Sequence, residues 1–426
     1  MPREKEGKQK TKGTPLPIIP ILQKFLKAYE KHCAQTQTSV CPAIKQDLKT
    51  SINNEQILRK IHGHVFMTST CTFFLTLQFM LVRPRDSPPS TLPISLEPLL
   101  ITIQDECYML GKEICIWSLQ LSNPEIARLA SLLELKGRAC PFTSLELIDC
   151  RMDLWSLRRL GRALLGSCLH SLVLDYCRFG NEEIESIFSG LEHNQRLQVL
   201  SLRYCGLGPQ SGPRLGAIIS QSSICELHLD GNYLQCSGAV ALLRHIAEYA
   251  EMQGRDQPAT SPPVPKSPPQ QLQVRQKGSS TLNQTTKSPG AVTRKTTSGK
   301  ERRKGIKKKM KDLTEAGPWL VKLYLADNGI DGKGKEGENG LLEFTQILMC
   351  LITYSAHLRE IDLGNNVLGE TAAAHILEAL RARKTGKLPI LKIIITPQVS
   401  SDTFKSIWKN TKKSSITRKK KKKTKY

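Results

Sequence analysis

The chain has 426 residues, 39% of them hydrophobic, and 62 lysines and arginines against 38 aspartates and glutamates give it a net charge of +24. Five basic and two acidic residues in 1–13, fifteen and four in 254–315, and eleven and one in 401–426 account for all of that charge. The remainder is neutral, which excludes a fold with basicity worked into its body and points to a neutral body with three basic appendages. Thirteen cysteines occur without paired spacing, and none lies in C-x-x-C. That pattern excludes a regular disulfide framework or zinc finger and suits reduced thiols in cytoplasm or nucleus.

In chain order, residues 1–15 read as a disordered basic segment with no apolar run behind the lysines, so no secretory leader is expected. Residues 16–113 read as a mixed N-terminal region and cap. Apolar residues at 18, 19, 22, 25, 26 and 29 predict an amphipathic helix over Leu16–His32. Val65–Val82 holds no charge and has the length of a membrane span. Its Thr and Ser content argues against that reading, and the alternation of Phe73, Leu75, Leu77, Phe79 and Leu81 predicts a buried strand instead. Pro84–Pro93 reads as a linker. Ser122-Asn123-Pro124 is a helix start, an N-cap followed by proline. Further helices are predicted over Asp153–Cys168, Asn181–Glu192, Gln210–Gln221, Cys236–Glu251, Gly340–Tyr354 and Glu370–Arg383.

Between these helices one pattern returns six times, L-x-x-L-x-L-x-x-(N/C)-x-L: Phe142–Met152, Leu169–Phe179, Leu197–Leu207, Ile224–Leu234, Leu320–Ile330 and Leu358–Leu368. The first four start 27, 28 and 27 residues apart, and weaker copies begin near Ile114 and Leu388. The L-x-L pair points one way from a short strand. Cys150, Cys177, Cys205, Asn232, Asn328 and Asn366 stand where the chain leaves the strand and frees backbone groups for a side chain to bond. A strand plus a full helix at this period resembles the ribonuclease-inhibitor class of leucine-rich repeats. The resemblance covers roughly 114–250 and 316–400. It implies an α/β solenoid, a horseshoe with a parallel sheet on the concave face and helices on the convex face. On that reading repeats fill 114–251 and, with a C-terminal cap, 317–408. A Pro/Ser/Lys-rich insertion at 252–316 and a Lys-rich tail at 409–426 are expected to be disordered. The step from Leu320 to Leu358 implies a second, short insertion around Gly332–Gly340.

No catalytic residue, cofactor or metal is expected. The candidate partner-binding residues are the outward strand positions of the concave face: Asp175, Tyr176, Arg203, Tyr204, Glu226, His228, Asp230, Tyr324, Asp327, Glu360 and Asp362, with Glu146 and Asp149 beside them. Carboxylates outnumber the opposing Arg203, Lys322 and Arg359, so the face suits a basic or arginine-bearing protein partner, with three tyrosines as anchors. The alternatives are an ordinary solvated face, or one covered by the chain's own basic insertion. Glu226, His228 and Asp230 lie too far apart along one strand to share an ion readily. Gly332-x-Gly334-x-x-Gly337 matches a dinucleotide-binding pattern but lacks the acidic residue expected further on. Lysine runs at 300–311 and 418–425 suit acidic protein tails, nucleic acid or nuclear import; a membrane contact is not expected, and a monomer is. Ser261, Ser267 and Ser288 precede proline and are candidate phosphorylation sites. By family analogy the chain reads as a non-enzymatic intracellular scaffold of cytoskeletal or ciliary kind. The alternatives are a nucleus-associated nucleic-acid binder and a GTPase-activating solenoid.

Overall fold

A computed structural model describes residues 18–53, 77–83, 92–135, 140–192, 194–255, 318–333, 336–396 and 399–411. Two compact units divide the chain, Met1–Pro265 with Ala316–Tyr426, and Lys266–Glu315; every described element belongs to the first. Residues 252–255 and 409–411, expected to be disordered, are helical, ending α8 and α11; the rest of the expected disordered segments, the lysine runs and the three candidate phosphoserines lie outside the described residues.

The elements alternate. Two helices, α1 (Ile18–Gln35) and α2 (Pro42–Asn53), precede β1 (Leu77–Val82). Then come α3 (Glu97–Asp105), β2 (Gly111–Trp117), α4 (Asn123–Leu133), β3 (Ser144–Ile148), α5 (Leu154–Gly166), β4 (Ser171–Val173) and α6 (Asn181–Leu191). The series continues through β5 (Val199–Ser201), α7 (Ser211–Ser220), β6 (Glu226–His228), α8 (Gln235–Arg255), β7 (Lys322–Tyr324) and α9 (Gly337–Tyr354). It closes with β8 (Glu360–Leu363), α10 (Gly369–Thr385), β9 (Lys392–Ile395) and α11 (Ser401–Thr411). The nine strands form one sheet in sequence order, all parallel. The residues between Arg255 and β7 leave that order intact, because β6 pairs directly with β7.

Register explains the core. Leu145, Leu172, Leu200, Leu227, Leu323, Ile361 and Ile393 are successive partners across the sheet and all are buried against the helices. Helix spacing is set by close approach: a Cβ on Gly161 of α5 would stand 2.0 Å from the Ser186 carbonyl of α6. The six (N/C) positions satisfy the freed backbone as expected. Cys150, Cys177 and Cys205 give their thiols to the carbonyls of Ile116, Leu147 and Leu174 on the preceding turn. Asn232 does more. Its Nδ2 donates to Leu202 O and Leu229 O, and its Oδ1 accepts the N–H groups of Cys205 and Leu207. Asn366 repeats the arrangement around Leu325, Leu363, Asn328 and Ile330.

The N-terminal region belongs to the same sheet. The strand anticipated in 73–81 is β1, which begins at Leu77 and pairs parallel with β2. Phe25 of α1 packs on Phe79 and Tyr108, with ring centroids 5.3 and 4.4 Å away, so the first helix covers the first strand. Glu125 joins α3 to α4: Oε1 accepts from Leu96 N and Ser95 Oγ, and Oε2 from Ser122 N and Oγ. Burial pushes that carboxyl up, but the hydrogen bonds together hold it below its ordinary range. At the other end Arg383 is 2% exposed, and no carboxylate among the described residues forms an ion pair with it. It donates instead to the carbonyls of Ile352, Ser355, Leu358 and Pro389, closing the C-terminus of α9 and the approach to β8. The helix boundaries differ from expectation mainly at α8, which runs on to Arg255, past the expected start of the insertion at 252, although its last buried residue is Ala250. No described helix is long and apolar enough to cross a membrane.

Candidate functional site

In-register parallel pairing lays the non-core side chains in rows. One row runs Glu113, Ser144, Ser171, Val199, Glu226, Lys322, Glu360, Lys392. The next runs Cys115, Glu146, Val173, Ser201, His228, Tyr324, Asp362, Ile394. The alternation of the strands turns these rows away from the helices, so among the described residues they form the open face of the sheet.

Much of the charge on this face is committed internally. Lys322 Nζ lies 2.7 Å from Glu226 Oε2, and Glu226 Oε1 lies 2.8 Å from His228 Nε2. The contact with His228, aided by Lys322 and opposed by burial, holds the Glu226 carboxyl down to about 2. The Arg203 guanidinium meets His228 Nδ1 and Asp230 Oδ2, the latter at 3.1 Å. An arginine can only donate, so Nδ1 accepts and Nε2 carries the proton shared with Glu226. The Tyr324 ring stacks on His228 with centroids 4.3 Å apart. Lys392 Nζ bonds Glu360 at 2.6 Å.

Several expected surface carboxylates prove structural. Asp175 is 6% exposed; its Oδ1 accepts from Ser201 Oγ and Arg203 N. Asp230 Oδ1 accepts Ala326 N, and Asp362 Oδ1 accepts Gly364 N. Asp175 and Asp230 stand just past a strand end, where a carboxylate is well placed to take a backbone N–H that the sheet leaves free, which draws them away from the free surface; Asp362 lies within β8 and stays partly exposed. Arg359 does not oppose the acidic face: its guanidinium bonds the carbonyls of Ala356 and Leu358 ahead of β8. Glu226 and His228 touch, contrary to the separation expected from backbone spacing, because the longer glutamate side chain closes the gap.

Tyr176, Tyr204, Asp149 and Asp327 are not on strand positions. They stand at the corner one residue before each (N/C) position, in the left-handed region, with φ of 60°, 53°, 52° and 55°. Ser118, Gly231 and Asn365 take the same corner on their turns, with φ of 53°, 70° and 55°. Backbone bonds such as Asp149 N to Asp175 O, Tyr176 N to Arg203 O and Tyr204 N to Asp230 O carry the parallel pairing past the corner. The rings of Tyr176 and Tyr204 are parallel to within 9°, with centroids 4.8 Å apart, close to the spacing of their strands. The repeat fixes the place of these corners in the sequence, but the residue types there do not reveal their left-handed backbone.

A second cluster was not singled out by sequence. Glu113, Cys115 and Glu146 place a ligating atom each within 4.8 Å of one another. The Cys115 thiol contacts Glu146 Oε2 at 3.2 Å, and Ser144 Oγ contacts Glu113 Oε1 at 3.3 Å. Burial, then the neighbouring Glu146, push the Glu113 carboxyl up to about 7. The two glutamates face each other because positions 113 and 146 sit on adjacent strands, which needs the register to be known. The ladder thiols offer no reactivity: burial pushes Cys150 up to about 11 and Cys177 up to about 12. In the glycine-rich loop, Gly334 lies outside the described residues. Neighbouring Glu336 bonds the N–H and hydroxyl of Ser237, capping the first turn of α8 rather than turning to a ligand.

No family model matches the chain, and no curated protein matches it either.

Proposed function

We propose that the chain is a non-enzymatic leucine-rich-repeat scaffold, whose open sheet face is the concave side of a solenoid and binds a protein partner. Its three basic segments hold the assembly on an acidic surface, in a cytoskeletal or ciliary setting. The observation that carries the reading is the open face itself. It presents carboxylates, a cross-strand chain from Lys322 through Glu226 and His228 to Arg203, and two half-exposed tyrosines, all on rigid backbone. Rigid polar groups flanking aromatic anchors are the composition of a protein-binding patch. The repeat reading is supported by parallel strands in sequence order and by the bonds of the asparagine and cysteine ladder. Arg203 is engaged by Asp230 and His228, which gives a GTPase-activating mechanism no free guanidinium at that position.

The test is co-purification from cells with Glu146→Lys combined with Asp362→Lys, which reverse charge at two points of the open face. Loss of a specific associated protein is expected. An unchanged set of associated proteins would remove the reading. Deleting 300–311 and 412–426, which spares α11, is expected to release the chain from its subcellular site while leaving that protein bound.

A further inference from the structure

The open-face reading does not say where on the face a partner's strongest contact falls, or what side chain makes it. The row of left-handed corners answers both. On successive turns the corner is held by Ser118, Asp149, Tyr176, Tyr204, Gly231, Asp327 and Asn365, with φ between 52° and 70°. Glycine, asparagine and aspartate adopt this conformation at low cost, whereas a tyrosine meets the full steric penalty of its Cβ. The fold therefore gains nothing by placing tyrosine there. Nor do the rings serve the core, since Tyr176 is 51% and Tyr204 is 42% exposed.

The rings are nevertheless held in place. They stack on each other at 4.8 Å, and Tyr204 leans over Gly231, where an added Cβ would come within 2.1 Å of the ring. Glycine at that one corner makes room for the ring. The stack is thus closed on one side by the Gly231 backbone, and on the side of the half-exposed Tyr176 the next corner along is Asp149. Asp149 is exposed, and its side-chain contact is a hydrogen bond from Ser118 Oγ at 2.9 Å. Asp327, on the far side of Gly231, is exposed too. Neither carboxylate is paired with a cation among the described residues, unlike Glu226, Asp230 and Glu360 on the face.

We propose that this corner row is a docking subsite for an arginine side chain of the partner protein, its guanidinium stacked on Tyr176 and bonded to Asp149. The proposal rests on the open-face reading and names the contact that dominates it. A planar guanidinium satisfies a flat aromatic face and a carboxylate beside it together, whereas a lysine ammonium is a point charge that keeps its water. The two free carboxylates supply the charge complementarity, and the preorganised stack lowers the ordering cost of binding.

The experiment titrates fluorescein-labelled hexa-arginine and hexa-lysine peptides, capped at both ends, against the full chain at about 0.15 M salt, read by anisotropy. The variant is Tyr176→Asn with Tyr204→Asn, which installs the residue found at the Asn365 corner and so keeps the backbone. It is expected to weaken hexa-arginine about tenfold and hexa-lysine less than about threefold. Asp149→Asn is expected to weaken hexa-arginine severalfold. Equal losses for both peptides, or no binding of hexa-arginine to the unaltered chain, would overturn the subsite. Capture from cells separates the two ideas. A partner lost with Glu146→Lys/Asp362→Lys but kept with the double tyrosine variant overturns the subsite alone. A partner kept by both variants overturns the face as well, and one lost with both supports the subsite.

Discussion

Replacing Arg383 with methionine tests whether the C-terminal part of the sheet is organised as described. The guanidinium is 2% exposed and gives hydrogen bonds to four carbonyls, of Ile352, Ser355, Leu358 and Pro389, at 2.7–2.9 Å. Bonds from a charged donor contribute about 1.5 kcal/mol each at the low end, so the four together are worth about 6 kcal/mol. Against this stands the cost of burying the charge. Burial lowers the Arg383 pKa to about 10 from an ordinary 12.5, which corresponds to about 3 kcal/mol. Methionine keeps the apolar stem and removes both terms. The expected net loss is about 3 kcal/mol, because the carbonyls at the end of α9 are left without donors. Urea unfolding followed by far-ultraviolet circular dichroism, at fixed slope, reads this directly. A loss under about 1 kcal/mol would show that these carbonyls find other partners and that Arg383 does not close the turn.

Three further outcomes follow. Asn232→Ala removes four hydrogen bonds of 2.7–3.1 Å and a longer one to the Asp230 carbonyl from a residue 1% exposed and should cost about 3 kcal/mol, whereas Cys205→Ala, which loses only weak thiol bonds, should cost about 1 kcal/mol. Equal losses in urea would contradict the ladder. Glu113 has its carboxyl raised to about 7, so its contribution to stability is complete below the unfolded value near 4.5 and is lost as pH rises through about 7. Glu113→Gln should therefore gain on the unaltered chain as pH rises through those values, by roughly 1 kcal/mol at pH 8 after allowing for solvent screening; a gain independent of pH would refute the raised carboxyl that burial and Glu146 together produce. Glu226 is depressed to about 2, so the stability it supplies is present above about 4.5 and falls away toward pH 2. Lys322→Met should shrink that acid-side loss in a pH series of melting curves, and an unchanged series would mean the ion pair contributes nothing.

The parallel sheet was legible because the L-x-L pairs recur at one period, and each pair became a strand with its leucines against the helices. The ladder was legible for a similar reason, since a polar residue at a fixed place after a strand has backbone groups to satisfy. The charges on the open face were not. Whether Asp175 is free or buried, and whether Arg203 reaches His228 or a partner, depends on residues about one repeat away whose alignment only the register supplies. Arg383 was equally hidden, because a lone arginine late in an amphipathic helix looks like a solvated cation near a helix end. The tyrosine stack was seen as two surface anchors. Their left-handed corner, and the glycine that makes room for one of them, are properties of backbone shape rather than of composition.

The central claim is that the open sheet face, and not the helical side, meets a protein partner. A photo-crosslinking amino acid placed at Val173, in the middle of the open face, tests it against the same group at Leu165, which is 63% exposed on α5. Irradiation in cells is predicted to join one protein to position 173 and not to position 165. Crosslinks to that protein from position 165 alone, or none from 173, would contradict the account.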